Sequence, residues 1–229
     1  ILYNIYIEVI NMTIDTKDML NSILSSISRI DYVRPGNIPN IDLYMDQVTT
    51  FMEEQLQSTK RHKDDKILTK TMINNYAKNN LLPPPVKKKY SKEHVLVMIF
   101  IYYFKNILSI KDIEALLAPI TEKYFDNHED FNITSIYEEI CKLEKSRIEN
   151  LQKDVAKSYN AALSSFADVP GTEQDYLQFF AFICSLSFDV YVKKLLIEKL
   201  IDDLPEPIQD KRRNKACQPY FFFILPLLS

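Results

Sequence analysis

Lys70, Thr71, Asn74, Asn75 and Lys78 follow one another at steps of one, three, one and three residues. On a helix of 3.6 residues per turn these positions share one face. That face carries no acid and no apolar side chain. Lysine and threonine donate to phosphate oxygens, and an asparagine amide matches the donor and acceptor on the edge of adenine. An ordinary solvent stripe would mix Glu with Lys. The basic triplet Lys87, Lys88 and Lys89 follows after a short gap. A lysine triplet by itself is usually a solvated turn. Directly after a two-faced helix it favours phosphate contact, which is electrostatic and independent of sequence. Met72, Ile73 and Tyr76 form the opposite face of the same helix, and Tyr76 is also expected to reach a nucleic-acid backbone beside Lys70 and the triplet.

The elements that must hold these residues are legible on either side. Thr69 is a good N-cap, and Asn80 can end the helix in the left-handed conformation that Gly usually supplies. Leu81 and Leu82 then return to a core, and Pro83, Pro84 and Pro85 hold an extended lead. Upstream, Asp15 or Thr16 caps a first helix to about Ile30, and Asp42 caps a second to about Leu56 with Tyr44, Val48, Phe51 and Met52 inward. Residues 57–66 read as a loop or a frayed helix end. Downstream, Ser91 caps a helix buried nearly all round, because Val95 to Phe104 is an unbroken apolar run. Ser109 and Asp112 form a capping pair for a helix to Leu117, with Pro119 after its end. Residues 132–167 read as one long helix whose apolar stripe fits a coiled-coil seam or an ordinary core stripe. Thr172 caps a last helix through Asp203. Its aromatic stretch from Tyr176 to Tyr191 reads as core first, and otherwise as the contact for a protein or small-molecule effector.

Composition narrows the function. Two glycines in 229 residues leave little room for glycine-dependent hairpins, dinucleotide-binding turns or phosphate loops. The net charge is −3, yet residues 60–92 hold ten Lys or Arg against two Asp. A basic island in an acidic chain is the footprint of a localised anion-binding face. The three cysteines, Cys141, Cys184 and Cys217, have no metal spacing and read as reduced thiols of a cytoplasmic protein. His62, His94 and His128 are scattered, and no nucleophile elbow or paired carboxylates stand out, so an enzyme is not expected, nor a metal or cofactor. No apolar run reaches the roughly 20 residues of a membrane helix. Residues 1–11 and 207–229 are expected to be poorly packed ends.

Residues 68–117 resemble the MerR-type winged helix-turn-helix. The matching pieces are Thr69, Tyr76, Asn80-Leu81-Leu82-Pro83-Pro84, Tyr90-Ser91, and the Ser109-capped helix pair from Leu108 to Leu117. Met12 to about Leu204 as a whole is similar to a family of bacterial proteins known only as a domain of unknown function, thought to be MerR-like. Asn74 and Asn75 stand where MerR proteins usually carry Arg and an aromatic, and the wing is shortened to Val86-Lys87-Lys88-Lys89. The resemblance implies an all-α fold: a MerR-like helix-turn-helix with a short wing over 12–118, then a helical C-terminal bundle over 119–206 for dimerisation, an effector or a partner. It implies a sequence-specific regulator of transcription that binds double-stranded DNA as a homodimer, paired through helix 132–167. In that reading Thr71, Asn74, Asn75 and Lys78 enter the major groove, while Lys70, Tyr76, Lys87, Lys88 and Lys89 hold the backbone. The alternative is a protein-interaction module on the same fold that no longer binds DNA.

Overall fold

The computed structural model describes residues 16–27, 33–127 and 130–204. The cap at Asp15, the helix end at Ile30, His128, Cys217 and the two chain ends lie outside the described residues. Among the described residues the chain forms α1 (Thr16–Ile27), β1 (Leu43–Tyr44), α2 (Met45–Leu56), α3 (Lys70–Lys78), β2 (Lys89–Tyr90), α4 (Lys92–Phe104), α5 (Ile110–Tyr124), α6 (Ile133–Leu163) and α7 (Thr172–Asp202). The fold is helical, with one two-stranded antiparallel sheet that pairs Leu43 with Tyr90 and Tyr44 with Lys89.

The apolar run of α4 is the centre of the core. Every residue from Val95 to Tyr102 is buried, so this helix needs cover on all sides and receives it from α2, α3, α5 and α6. Val48, Met52 and Leu56 of α2, Ile73 of α3 and Ile113 of α5 pack into the same cluster. Tyr137 of α6 is fully buried, and its hydroxyl donates to the carbonyl of Val33 at 2.6 Å, which satisfies the one polar atom the ring brings inside. Ile201 near the end of α7 reaches this core too. A smaller cluster forms where Leu20 of α1 meets Tyr159 and Ala162 of α6 and Phe182 of α7.

Several sequence expectations are corrected. α2 begins at Met45 rather than after Asp42, because the Tyr44 N–H donates to Gln47 Oε1 at 2.8 Å and fixes the start there. Tyr44 consequently leaves the inner stripe and is 54% exposed. α5 does not stop before Pro119 but runs through it to Tyr124. Pro119 and Ala115 are both exposed, so water can serve the Ala115 carbonyl that loses its helical donor. The helix therefore crosses the expected boundary between residues 118 and 119, and the main core draws on both sides of it. Gly171, at φ 64°, is the N-cap of α7 in place of Thr172. The loop after α2 is held by two acids: Asp65 within it accepts from the N–H groups of Arg61 (3.1 Å) and His62 (2.9 Å), and Glu53 of α2 pairs with Lys60.

Candidate nucleic-acid interface

α3 is capped at both ends. Thr69 Oγ1 accepts from the Met72 N–H at 3.2 Å. At the far end Asn80 has φ 55°, the Leu81 N–H bonds the Tyr76 carbonyl at 2.9 Å, and the Asn80 N–H bonds that of Ala77 at 3.3 Å. This is the Schellman pattern of bonds, with Asn in the position where Gly is usual. Leu81 and Leu82 go straight into the core. The caps and the buried Ile73 fix the rotation of the helix. Lys70, Thr71, Asn74, Asn75 and Lys78 are accordingly all exposed on one side.

Tyr76 is placed differently. Its ring is buried in the core with Ile73, on the inner face that its spacing predicts, and burial raises its pKa; it is not exposed with the lysines beside which it was expected to reach a nucleic-acid backbone.

The triplet forms a hairpin without glycine. Val86 and Lys89 exchange both backbone hydrogen bonds, at 2.9 and 3.1 Å, around a two-residue turn. Lys87 (φ 50°) and Lys88 (φ 65°) both occupy left-handed backbone. A two-residue turn of the I′ class demands that conformation at both positions, and Asn-Gly is its usual sequence. Lysine has no such preference. The low glycine count therefore misjudged this turn, and both lysines are held exposed at its tip.

The start of α2 joins the helix face to the hairpin. Lys89 lies across the sheet from Tyr44, with its Nζ 5.3 Å from the ring centroid. Two residues further on, the Asp46 carboxylate pairs with Lys70. Lys70 and Lys89 are thus brought together around Tyr44 and Asp46, neither of which the sequence marked. Gln47 was the available signal: a Gln three residues after a candidate cap places the helix start at Met45 and turns Tyr44 outward.

His94 ties the hairpin's lead to the core. It is buried, with Nδ1 accepting from the Ser91 N–H at 3.0 Å and Nε2 3.3 Å from the Pro84 carbonyl. Since Nδ1 must accept, the neutral ring carries its proton on Nε2 and donates it to Pro84. The ring meets Tyr90 and Phe125 edge-on, at 5.5 and 4.7 Å between centroids. Burial lowers its pKa, against an upward pull from the Pro84 carbonyl and the carboxylates of Glu93, Asp126 and Asp42.

Among the described residues no group of three His, Cys, Asp or Glu is placed to hold a metal ion. No described helix is long and apolar enough to cross a membrane. No curated protein and no solved structure matches the chain. The long stretch from Cys141 to Leu204, which the wider sequence resemblance included, lies outside the residues matched by the family model. Residues 33–140, which hold both strands, α3, the lysine turn and the His94 tie, match a family described as a domain of unknown function (DUF1836).

Proposed function

We propose that the chain is a sequence-specific, double-stranded-DNA-binding regulator of transcription, built on a MerR-like helix-turn-helix in which α3 is the recognition helix and the Val86–Lys89 hairpin is a short wing. The observation that carries this reading is the exposed, acid-free face of α3, locked in rotation by two caps and set beside a turn that accepts left-handed backbone at two lysines. Left-handed non-glycine residues cost about 1 kcal/mol or more each, and they persist where the surroundings or function require them. Here the result is two ammonium groups at the tip of a rigid projection. Thr71, Asn74, Asn75 and Lys78 read base edges; Lys70, Lys87, Lys88 and Lys89 contact phosphates. Tyr44 supports Lys89 in this arrangement, and the buried Tyr76 supports α3 from behind. The regulator acts as a homodimer, so that two recognition helices meet half-sites about one turn (~34 Å) apart.

The test is selection of bound duplexes from a random pool by the purified protein, with the Lys87→Ala/Lys88→Ala/Lys89→Ala variant alongside. Enrichment of one palindrome by the wild type supports the reading. Failure to enrich any duplex at low salt, together with a co-purifying protein, would replace it with the protein-interaction module.

A further inference from the structure

Two faces of α2 do different things. Val48, Met52 and Leu56 turn into the main core. Asp46, Gln47, Thr50, Phe51 and Glu54 follow one another at steps of one, three, one and three residues and share another face. This second face looks onto Pro39 and Leu43, and the two sides enclose an open groove of about 330 Å³. Small-molecule sites run from about 300 to 1,000 Å³, so the groove suits a small ligand. Its floor is apolar: Leu43 is buried, and Pro39 and Phe51 are half-buried. Its charges are both negative. Asp46 stands in the first turn of α2 and Glu54 eight residues later, about 12 Å further along the axis. Glu54 is exposed and makes no ion pair or hydrogen bond with the described residues. Asp46 already holds an ammonium group, that of Lys70 reaching over from α3.

We infer that this groove binds a linear aliphatic polyamine, a methylene chain with an ammonium group at each end. Charge and shape argue together. Both carboxylates repel an anion, and a neutral apolar ligand leaves them unused. A short monoamine reaches one carboxylate only. An extended triamine such as spermidine spans a distance comparable with the separation of the two. Its terminal ammonium groups donate to Asp46 and Glu54, its methylenes lie over Leu43 and Phe51, and its inner ammonium donates to the hydroxyl of Thr50. Exposed ion pairs contribute little one by one, so the methylene contact is what selects the amine over a solvated inorganic cation. Lys70 is the internal competitor, because its ammonium sits on Asp46 in the free protein. Amine binding and the Lys70–Asp46 pair therefore oppose each other, and the opposition is reciprocal. In the regulator reading the displaced Lys70 becomes free for phosphate, but the groove and its ligand stand independently of that reading.

The experiment is calorimetric titration of the full chain with spermidine at low salt. Nucleic acid is left out, because polyamines bind its phosphates directly. Spermidine should bind one to one. Octane-1,8-diol, a neutral chain of the same length, and butylamine, with a single ammonium, should each bind at least several-fold more weakly. Asp46→Asn and Glu54→Gln should each weaken spermidine several-fold, and the double variant should weaken it further. Both changes keep the side-chain shape at exposed positions, so they test charge rather than folding. Lys70→Ala removes the competitor and should tighten binding several-fold. Lys111→Ala removes an equal charge from an exposed site of α5 outside the groove and should change it little. No binding at millimolar spermidine, an equal response to the diol, affinity unchanged in the double variant, or equal effects of Lys70→Ala and Lys111→Ala would each overturn the proposal. None of these outcomes bears on the duplex selection, which judges DNA binding separately.

Discussion

The Nζ of Lys89 lies 5.3 Å from the centroid of the Tyr44 ring, and the two residues face each other across the two-stranded sheet. The sheet is only two residues deep on each strand, but it sets where the hairpin stands relative to α2. Asp46, two residues beyond Tyr44, holds Lys70 of the exposed α3 face. The first turn of α2 therefore controls one lysine from each half of the proposed DNA surface, with opposite effects: an aromatic ring steadies one, and a carboxylate competes for the other.

Tyr44→Ala should weaken binding to duplex DNA about two- to five-fold, since a cation over an exposed ring is stabilised by roughly 0.5–1 kcal/mol. Tyr44→Phe keeps the ring and should bind like the wild type. Fluorescence anisotropy on a labelled duplex checks both. Equal losses in the two variants would mean that the hydroxyl, not the ring face, matters.

Asp46→Asn should change affinity and stability in opposite directions. It frees Lys70 and removes a negative charge from the DNA-facing side, so affinity should rise and the salt dependence steepen by up to about one unit. It also removes the acid from the first turn of α2, where the helix dipole favours it by about 0.3–1 kcal/mol, so the melting temperature should fall slightly. Binding and thermal melts on the same sample test the pair of signs.

Lys87→Asn/Lys88→Gly gives the turn the sequence its backbone prefers. Unfolding free energy should rise by about 1–2 kcal/mol in denaturant titrations. DNA affinity should drop for all duplexes alike, with a salt slope flatter by up to about two units. A variant that is both more stable and undiminished in binding would show that the lysines have no role at the tip.

His94 makes stability depend on pH with a definite sign. Its folded pKa is lowered by burial, while the unfolded chain protonates near the ordinary value of about 6.5. The neutral ring's contribution is therefore fully present above about pH 6.5 and is lost as pH falls below it toward the folded pKa. Protonation at Nδ1 would also confront the Ser91 N–H with a second donor. Urea melts should show falling stability from pH 7.5 to pH 5. His94→Gln can still accept from Ser91 as a capping residue and should flatten that particular decline.

What the sequence revealed followed from local chemistry. The Thr69 cap, the left-handed Asn80 and the return of Leu81 and Leu82 to the core each rest on residues within a turn of one another, and the structure shows all of them. The Ser109–Asp112 capping pair was legible for the same reason. What the sequence concealed depends on contacts from elsewhere. Lys87-Lys88 does not look like a hairpin turn, and only pairing with β1 through Lys89 and Tyr90 makes it one. Tyr44 read as core because its spacing from Val48 is helical, although the helix starts one residue after it. Tyr76 sits on the inner face with Ile73, as its spacing predicts, but how fully its ring is covered depends on the rest of the core. The aromatics of α7 read first as core, yet four of them face outward, because one helix hairpin offers too little surface to cover them.

The most direct test of the central claim is DNA affinity measured against salt concentration, for the wild type and for Lys87→Ala/Lys88→Ala/Lys89→Ala. Each lysine–phosphate contact contributes about 0.9 to the slope of log affinity against log salt. The account predicts steeply salt-dependent binding by the wild type, and a variant that binds all duplexes more weakly with a slope flatter by up to about three units. An affinity that ignores salt, or a slope unchanged by removing the three lysines, would contradict it.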